Sequence, residues 1–151
     1  MEIVRFRASH DTRQMTDIYS PEKRSKVMAK IRGRDTAIER HLRSALHRFG
    51  LRFRKNVSTL PGRPDIAFPQ YRTAVFVHGC FWHRHPGCQR ASVPNSNRAF
   101  WKAKFLANVK RDKIVATALR KIGWHVIVVW ECEIRKNAGK SAERIRRHLT
   151  H

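Results

Sequence analysis

The sequence predicts an α/β fold built around one mixed β-sheet and one hydrophobic core. The chain has 151 residues, which is the usual size of a single domain, and a chain of this length buries about two-thirds of its unfolded surface. Hydrophobic residues make up 41% of it, which is too many for a disordered chain. Several strand-like segments precede a long helical segment and a further strand-like segment, an order typical of a sheet with a crossover helix.

The N-terminal part of the chain is basic, and its beginning has no hydrophobic period. Residues 1–19 are therefore expected to form a basic, flexible arm ahead of a single domain over residues 20–151. Ser20 and Pro21 have the order of an N-cap followed by proline in the first helical turn. They predict a short basic helix that ends near Arg32, before a glycine.

A second helix is predicted from the spacing of Thr36 and Glu39, which fits a capping box. Gly50 is expected to end this helix, because glycine readily adopts the left-handed conformation that follows a helix. Between these positions the apolar side chains recur at helical spacing and predict a buried face. The apolar side chains are Ile38, Leu42, Ala45, Leu46 and Phe49.

The remaining elements are strands and helices in mixed order. Short apolar segments bounded by turn residues predict the strands, and the third of these is apolar enough for a central position in the sheet. Residues 79–97 form a loop rich in Cys, His, Pro and Asn. The predicted strands are 51–54, 65–68, 73–77 and 124–130, and the predicted helices are 98–122 and 141–149.

The charge of the chain narrows the class of partner. Lys and Arg number 33 against 11 Asp and Glu, which gives a formal net charge of +22. Such a basic protein is expected to bind nucleic acid, with an anionic membrane surface as the alternative. The longest apolar run, residues 126–130, is far shorter than the ~20 residues of a spanning helix, and no signal-peptide core is visible. A soluble intracellular protein is therefore expected.

Cysteine and histidine form the strongest chemical pattern in the sequence. Cys80, His83, His85 and Cys88 fall within nine residues, and Cys132 follows the last predicted strand. If that strand lies beside the third one, both Cys-bearing segments emerge at the same edge of the sheet. Three thiolates and one imidazole are a typical structural zinc set, with His85 the better fourth ligand. The alternative is that the cysteines are small buried hydrophobic residues.

Asp65 stands at the start of a predicted strand, directly after a proline. Aspartate is a poor strand former, so its position needs a reason. One reason is a turn in which the side chain bonds nearby backbone groups. The other is a ligand for Mg²⁺, which prefers carboxylate and phosphate oxygens. A Pro-Asp strand followed by a buried strand is the frame of restriction-endonuclease-like nucleases, although the second strand here lacks their usual Glu-x-Lys.

Six short motifs occur along residues 20–135. They are RSKVM from Arg24, RDTAIE from Arg34, LPGRPD from Leu60, HGCFWH from His78, NVKRD from Asn108, and the GW and VWEC pieces between Gly123 and Cys132. In this order they resemble the very short patch repair (Vsr) endonuclease family, whose members nick DNA beside a thymine–guanine mismatch. The resemblance implies a restriction-endonuclease-like three-layer core with a mixed central sheet and a structural zinc site.

The resemblance also implies a catalytic Mg²⁺ held by Asp65 and by the backbone carbonyl of Val77, where many relatives have threonine. A carbonyl ligand does not depend on the side chain, so valine is compatible with this role. His83 corresponds to the general-base histidine of the family, and imidazole titrates near neutrality. Asp112, the acid on the predicted long helix, is expected to orient the His83 ring. The further catalytic positions correspond to His78, Glu39 and Asp112.

The zinc ligands implied by the resemblance are Cys80, His85, Cys88 and Cys132, with one residue more between His85 and Cys88 than in some relatives. From the residues alone, two alternatives stay open for the histidines. Position 83 fits a surface histidine or another zinc ligand, and position 78 fits a structural histidine.

Five side chains are implied to contact DNA. Phe81 and Trp82 would wedge into the base stack from one groove and Met28 from the other, at a cost that is lower at a weakly stacked mismatch. Lys104 and Asn108 are four residues apart on one helix face and correspond to residues that contact the mismatched pair. Without the resemblance, the aromatic residues fit a core and the helix face fits solvent.

The function expected from the sequence is a Mg²⁺-dependent, strand-specific DNA nicking endonuclease in very short patch mismatch repair. Its partner would be duplex DNA with a T:G mismatch, bound by a monomer, with other mismatch-repair proteins as further partners. The bacterial cytoplasm and nucleoid would be its location. Two alternatives use the same residues: a non-catalytic zinc module that binds nucleic acid, and a nuclease that cuts matched duplex DNA.

Overall fold

A computed structural model describes residues 35–151 of the chain. The predicted arm at residues 1–19, the predicted helix from Ser20 to Arg32 and the predicted DNA-contacting residue Met28 lie outside the described residues. The described part contains the other predicted elements and most of the predicted site.

Three α-helices and four β-strands form the described part of the chain. None of these helices combines the length and apolar character needed to cross a membrane. In chain order the elements are α1 (Ala37–Arg48), β1 (Arg54–Lys55), β2 (Ile66–Phe68), β3 (Thr73–His78), α2 (Arg98–Lys121), β4 (His125–Trp130) and α3 (Glu131–Leu149).

The start of α1 is capped by its own side chains. The Thr36 hydroxyl accepts the Glu39 backbone N–H at 3.3 Å, as the predicted capping box requires. The Glu39 carboxylate accepts the N–H of Asp35 at 2.8 Å, one residue earlier than in that box. At the other end Gly50 has φ +73°, so the prediction that glycine follows the end of this helix is confirmed.

The sheet has the strand order β1-β2-β3-β4 and is mixed, as predicted. Strands β1 and β2 are antiparallel, as are β2 and β3, whereas β3 and β4 are parallel. The parallel pair places His78 beside Trp130 at one edge of the sheet. The loop that follows β3 and the chain that follows β4 therefore start side by side, because parallel strands end at the same edge.

The two faces of the sheet are covered differently. Alternate residues of a strand point to opposite faces, and Val75 and Val129 belong to the hydrophobic core that the sheet forms with α1 and α3. Phe76 and Val128 face the other way and line a cavity beneath α2. The described chain thus has three layers: α1 with α3, the sheet, and α2. Contributors to the core include Leu42, Leu46, Ile66, Phe68, Ile134, Ala142 and Ile145.

Two predicted boundaries were wrong. The predicted strand 51–54 is a loop except at Arg54, and the observed strand β1 has two exposed residues. Leu51 and Phe53 explain the error, because their hydrophobic side chains pack on the core from irregular backbone. The last helix begins ten residues before the predicted position and bends at Asn137, whose backbone is extended. The Asn137 side chain accepts the Lys140 N–H at 3.0 Å and caps the second half of the helix.

The turn before β2 is locked against α2 through a glycine. Gly62 has φ +71°, and a Cβ added to it would overlap the side chain of Val115. Gly62→Ala is therefore expected to destabilise the protein by about 2–4 kcal/mol, because left-handed strain and overpacking act together. Chemical denaturation measures this loss.

Gly50→Ala is the matched control for this substitution. Gly50 has φ +73° and nothing within 4 Å of an added Cβ, so it reports the backbone strain alone. The double variant Gly62→Ala with Val115→Ala is expected to recover part of the loss. Equal destabilisation by the two glycine substitutions would show that the overlap with Val115 does not contribute to the loss of stability.

Candidate functional site

The predicted catalytic residues meet in one cavity between α2 and the sheet. The cavity has a volume of about 800 Å³ and is open to solvent on one side. It lies where the turn before β2, the ends of β3 and β4, and the first turns of α1 converge. The cavity is lined by all five predicted catalytic residues, which are Asp65, His83, His78, Glu39 and Asp112.

Asp65 connects two strands through its carboxylate. Its Oδ2 atom accepts the backbone N–H of Val77 at 2.7 Å, twelve residues along the chain. Burial and, to a lesser extent, the nearby Glu39 raise the pKa of Asp65 to about 7, although the hydrogen bond from Val77 opposes the shift. A carboxyl group with such a pKa gains from a cation beside it. Val77 contributes its N–H here, and the role of its carbonyl as a metal ligand stays a prediction.

Glu39 is held beside Asp65 by a small ionic network that the sequence analysis missed. Its side chain is 5% exposed, and its Oε2 atom lies 3.6 Å from a guanidinium nitrogen of Arg43. Arg43 also forms an ion pair with Asp35. The Glu39–Arg43 spacing of four residues on a helix was the signal available in the sequence. The network keeps a second carboxylate at the wall of the cavity.

His83 and Asp112 form the shortest polar contact that crosses the cavity. The Nδ1 atom of His83 lies 2.6 Å from Oδ2 of Asp112 on α2. Asp112 on α2 therefore lies where it can orient the His83 ring, and its part in catalysis stays a prediction. With Nδ1–H donated to the carboxylate, the free nitrogen Nε2 is the one that can take a proton.

The His78 ring is stacked on the His83 ring. The two centroids are 3.9 Å apart and the planes are inclined by 8°. Burial and, to a lesser extent, the neighbouring His83 lower the pKa of His78 to about 4. His78 is thus neutral near pH 7 and supports its partner by packing. The two rings and Asp112 are close enough to hold a metal ion, but parallel rings do not aim their nitrogen lone pairs at one point.

The four predicted zinc ligands also come together, on the other side of Trp130. The ligand atoms of Cys80, His85, Cys88 and Cys132 lie within 4.8 Å of one another. The Nδ1 atom of His85 is 3.3 Å from the Cys132 sulfur and 3.6 Å from the Cys80 sulfur. Ligands of tetrahedral zinc are spaced by roughly 3.5–4 Å, which these distances fit with little movement.

The thiols of the cluster have unequal surroundings. Burial raises the pKa of the Cys80 thiol to about 12, whereas a backbone hydrogen bond at Arg90 lowers the pKa of Cys88. With so high a pKa the Cys80 thiol keeps its proton at neutral pH unless a cation lies beside it, and a metal ion bound there would displace that proton. The donor set and its burial therefore fit a structural zinc ion.

Arg84 fastens this loop to α2. Its guanidinium donates to the carbonyl oxygens of Phe81 and Ala91 and lies 4.1 Å from the ring centroid of Phe105. The residue has φ +57°, in the left-handed region. No motif in the sequence marked Arg84, because its partners are distributed over the loop and a helix.

Phe81 and Trp82 belong to an aromatic cluster at the start of α2. The Phe81 ring centroid is 5.0 Å from those of Trp82 and Phe105 and 5.6 Å from that of Trp101. Trp82 is 36% exposed, so one ring of the pair reaches the surface while the other is half-buried. Their insertion into a base stack stays a prediction.

Asn108 is buried and its amide group is fully engaged. The side chain is 6% exposed, its Nδ2 atom donates to the Trp82 carbonyl at 3.1 Å, and its Oδ1 atom accepts from Arg111 at 3.1 Å. In the described structure Asn108 therefore holds the loop in front of His83. Its contact with a mismatched pair, and that of the half-buried Lys104, stay predictions.

Asn108→Asp is expected to lower the free energy of unfolding by about 1–3 kcal/mol. The substitution replaces the N–H donor by an acceptor that faces the part-buried Trp82 carbonyl, which loses this hydrogen bond. Thermal and chemical denaturation measure the effect, with the exposed Asn95→Asp as control. Unchanged stability would mean that the Trp82 bond is dispensable.

Comparisons with known proteins show which sequences this chain is similar to. The family model described as DNA mismatch endonuclease Vsr matches residues 16–90. The type II nicking enzyme V.XorIIP of Xanthomonas oryzae pv. oryzae is 45% identical over 135 residues, covering 89% of this chain and 98% of its own length. The type II nicking enzyme V.NmeAIP of Neisseria meningitidis is 47% identical over 133 residues, covering 88% and 94%. The DNA mismatch endonuclease Vsr of Escherichia coli is 46% identical over 121 residues, covering 80% and 77%.

Proposed function

Because the chain belongs to the Vsr family of DNA mismatch endonucleases, we propose that it nicks one strand of duplex DNA beside a T:G mismatch in very short patch repair. Its relatives are DNA endonucleases and nicking enzymes, and the chain is likewise a DNA endonuclease. The mixed α/β core is consistent with a restriction-endonuclease-like fold. The Mg²⁺ requirement, the T:G preference and the strand specificity are the parts that we propose.

One observation carries the proposal: a half-buried carboxylate with a raised pKa and an oriented imidazole face one cavity. Asp65 lines the cavity with a pKa raised to about 7, and the His83 ring lies in it with Asp112 at 2.6 Å. A protein that only bound nucleic acid would gain nothing from burying an acid where a phosphate must approach. The relatives also exclude the non-catalytic zinc module considered for the sequence, since those named above are nucleases.

Each residue of the cavity has a role in this proposal. Asp65 and the carbonyl of Val77 would hold Mg²⁺, which would supply Lewis-acid polarisation of the scissile phosphate. Nε2 of His83 takes the proton of the attacking water. Asp112 keeps the imidazole in the required tautomer and balances its charge after protonation.

His78 packs against the ring as a neutral group. Glu39 supplies a second negative charge to the metal side of the cavity.

The zinc set is proposed to act on the loop and not on the DNA phosphate. Cys80, His85, Cys88 and Cys132 would hold the zinc ion, which would supply folding free energy to a loop with few buried residues of its own. The loop carries His83 between two of these ligands. The chain beyond β4 supplies the fourth ligand and so ties the loop to the main sheet.

Recognition of the mismatch is proposed to depend on residues around the aromatic cluster. Phe81 and Trp82 unstack bases from one groove and Met28 from the other, while Lys104 and Asn108 contact the mismatched pair. For Asn108 this requires release of the Trp82 carbonyl. Unstacking is cheaper at a weakly paired step, which favours a mismatch over matched DNA.

We further expect a monomer on DNA in the bacterial cytoplasm and nucleoid, acting with other mismatch-repair proteins.

A nicking assay on paired oligonucleotide duplexes tests the proposal. One duplex carries a T:G mismatch, the other is fully matched, and each is incubated with and without Mg²⁺. We expect a nick in one strand of the mismatched duplex and only with Mg²⁺. Equal cleavage of both duplexes would identify a nuclease for matched DNA, and cleavage with chelator present would remove Mg²⁺ from the mechanism.

Mg²⁺ binding is expected to depend on pH through Asp65. With a pKa of about 7, this carboxyl is mostly protonated at pH 6 and mostly ionised at pH 8, so the apparent Mg²⁺ affinity should be about tenfold weaker at pH 6. Titration calorimetry with MgCl₂ at the two pH values measures the ratio, with Asp65→Asn as the control without pH dependence.

The same raised pKa has a consequence for the metal-free protein. The folded-state pKa lies above the value of 3.8 for a free Asp, so the folded state holds a proton that the unfolded state has lost. Stability contributed by Asp65 is therefore present below pH 3.8 and is lost as the pH rises towards 7. In the Mg²⁺ titration described above, equal affinities at pH 6 and pH 8 would contradict the assignment of this raised pKa to Asp65.

A further inference from the structure

The positive charges of α2 and α3 are paired to very different extents. Helix α2 carries eight Lys and Arg residues and one acid, Asp112, whereas α3 carries six Lys and Arg residues and three Glu. Both helices lie at the surface of the described chain, on opposite faces of the sheet. Their cations therefore differ in how much of their charge is neutralised within the protein.

No cation of α2 forms an ion pair within residues 35–151, where ion pairs are described. Arg111 donates to the amide oxygen of Asn108, which is neutral. The single acid of the helix, Asp112, is engaged by His83. The charge of α2 is thus uncompensated by its neighbours.

The arginines of α3 are paired with acids of the same helix. Arg144 lies 3.3 Å from Glu133, and Arg147 lies 3.5 Å from Glu143. The remaining pairs are Arg135 with Glu131 at 2.7 Å and Arg146 with Glu143 at 2.7 Å. Surface pairs of this kind add little stability, but they lower the positive potential that this helix presents to a polyanion.

The unpaired cations of α2 lie along one side of the helix. At about 100° per residue, six of the eight fall within an arc of about 140°, and all six are exposed. We call this side the α2 cationic face; its members are Arg98, Lys102, Lys110, Lys113, Arg120 and Lys121. The helix has 24 residues and a length of about 36 Å, close to one turn of duplex DNA.

The α2 cationic face adjoins the catalytic cavity. Lys113 and Arg120 belong to both, since they line the cavity that contains Asp65 and His83. Arg63, in the turn before β2, adds a further cation to the same rim. A phosphodiester backbone that enters the cavity must therefore pass beside this face.

We propose that the α2 cationic face binds the phosphate backbone of the DNA substrate on the approach to the cavity, and that the paired arginines of α3 do not. The inference deepens the proposed function and takes from it only that duplex DNA is the partner. Unpaired Lys and Arg release condensed counterions from DNA when they bind phosphates. The arginines of α3 would first have to give up their glutamates.

The salt dependence of DNA binding distinguishes the two helices. The double variant Lys113→Gln with Arg120→Gln removes two cations from the α2 cationic face. The control, Arg144→Gln with Arg147→Gln, removes two cations from α3 and changes the net charge equally. Affinity is measured for intact matched and T:G duplexes without Mg²⁺ at several salt concentrations, so that no cleavage is needed.

The α2 variant is expected to reduce the slope of log K against log salt by about 1.8, which is 0.9 for each lost phosphate contact. The control is expected to leave the slope unchanged. Matched and T:G duplexes should be weakened equally, because phosphate contacts do not report base identity. Equal slope changes in the two double variants, or a change only in the α3 variant, would overturn the inference.

A second double variant tests the α2 cationic face at residues outside the cavity. Lys110→Gln with Lys121→Gln removes two members of the α2 cationic face that do not line the cavity, and the same slope change is expected. An unchanged slope in both α2 variants would overturn the inference. Failure of the wild-type protein to nick any duplex would refute the proposed function and leave these slopes as measured.

Discussion

Replacing Asp65 with asparagine is expected to slow Mg²⁺-dependent nicking by at least about 10³-fold while the protein stays folded. Asparagine retains an oxygen that can accept the Val77 N–H but lacks the charge that attracts the metal ion. Lewis-acid stabilisation by a metal is worth several kcal/mol, and each ~1.4 kcal/mol changes a rate tenfold. Single-turnover nicking of a T:G duplex measures the rate.

Binding and stability separate this loss from misfolding. The Asp65→Asn protein is expected to bind T:G duplexes as well as the wild type, because Asp65 carries no phosphate-binding charge. Its stability at pH 8 should not fall, since a neutral amide avoids the cost of ionising a buried acid. Glu143→Gln, which changes an acid of α3 far from the cavity, is the activity control. Nicking near the wild-type rate would remove Asp65 as the metal ligand.

Removing the zinc set is expected to have the second large effect. Cys132→Ala takes one of four ligands from a cluster within 4.8 Å, and structural zinc in small peptides is worth about 10–16 kcal/mol. The loop of residues 79–97 has few buried side chains, so the few hydrogen bonds that hold it, each worth about 1 kcal/mol, cannot replace the metal. We expect loss of bound zinc, proteolysis within this loop and loss of nicking.

The main core should survive this substitution. The buried cluster of α1, α3 and the sheet, which includes Leu46, Phe68 and Ile145, contains no zinc ligand. For this variant, elemental analysis should show loss of zinc and limited proteolysis should show cleavage within the loop. Far-UV circular dichroism should show that the helices and strands of the main core remain. Cys132→His, which keeps a possible ligand, should restore part of the metal content. A metal-free wild-type protein that folds and nicks DNA would refute the structural role of zinc.

Local sequence patterns predicted much of the fold because their signals are short in range. The helix at Ala37–Arg48, the apolar strands β3 and β4 and the long helix α2 each follow from spacing that neighbouring residues define. The predictions were wrong where a hydrophobic side chain reached the core from irregular backbone, as at Phe53. The extended backbone at Asn137 likewise divided one helical segment into two.

The candidate site was likewise predicted only in part. The histidines, cysteines and acids were all named from the sequence, since their chemistry and order are visible there. Arg43 and Arg84 were not, because each acts through partners that no local spacing reveals. For Asn108 the sequence indicated a DNA contact, whereas the structure shows its amide bonded to the Trp82 carbonyl.

By itself the sequence determined the class of fold, the excess of positive charge and the set of side chains able to bind metal ions and move protons. These properties belong to residue types and short spacings. Only the tertiary structure decided which of them meet: that His83 faces Asp112, that the half-buried Asp65 accepts the Val77 N–H, and that within residues 35–151 the cations of α2 lack acidic partners while the arginines of α3 have them. The reason is physical, because hydrogen bonds, burial and ion pairing depend on distances between residues that are far apart along the chain.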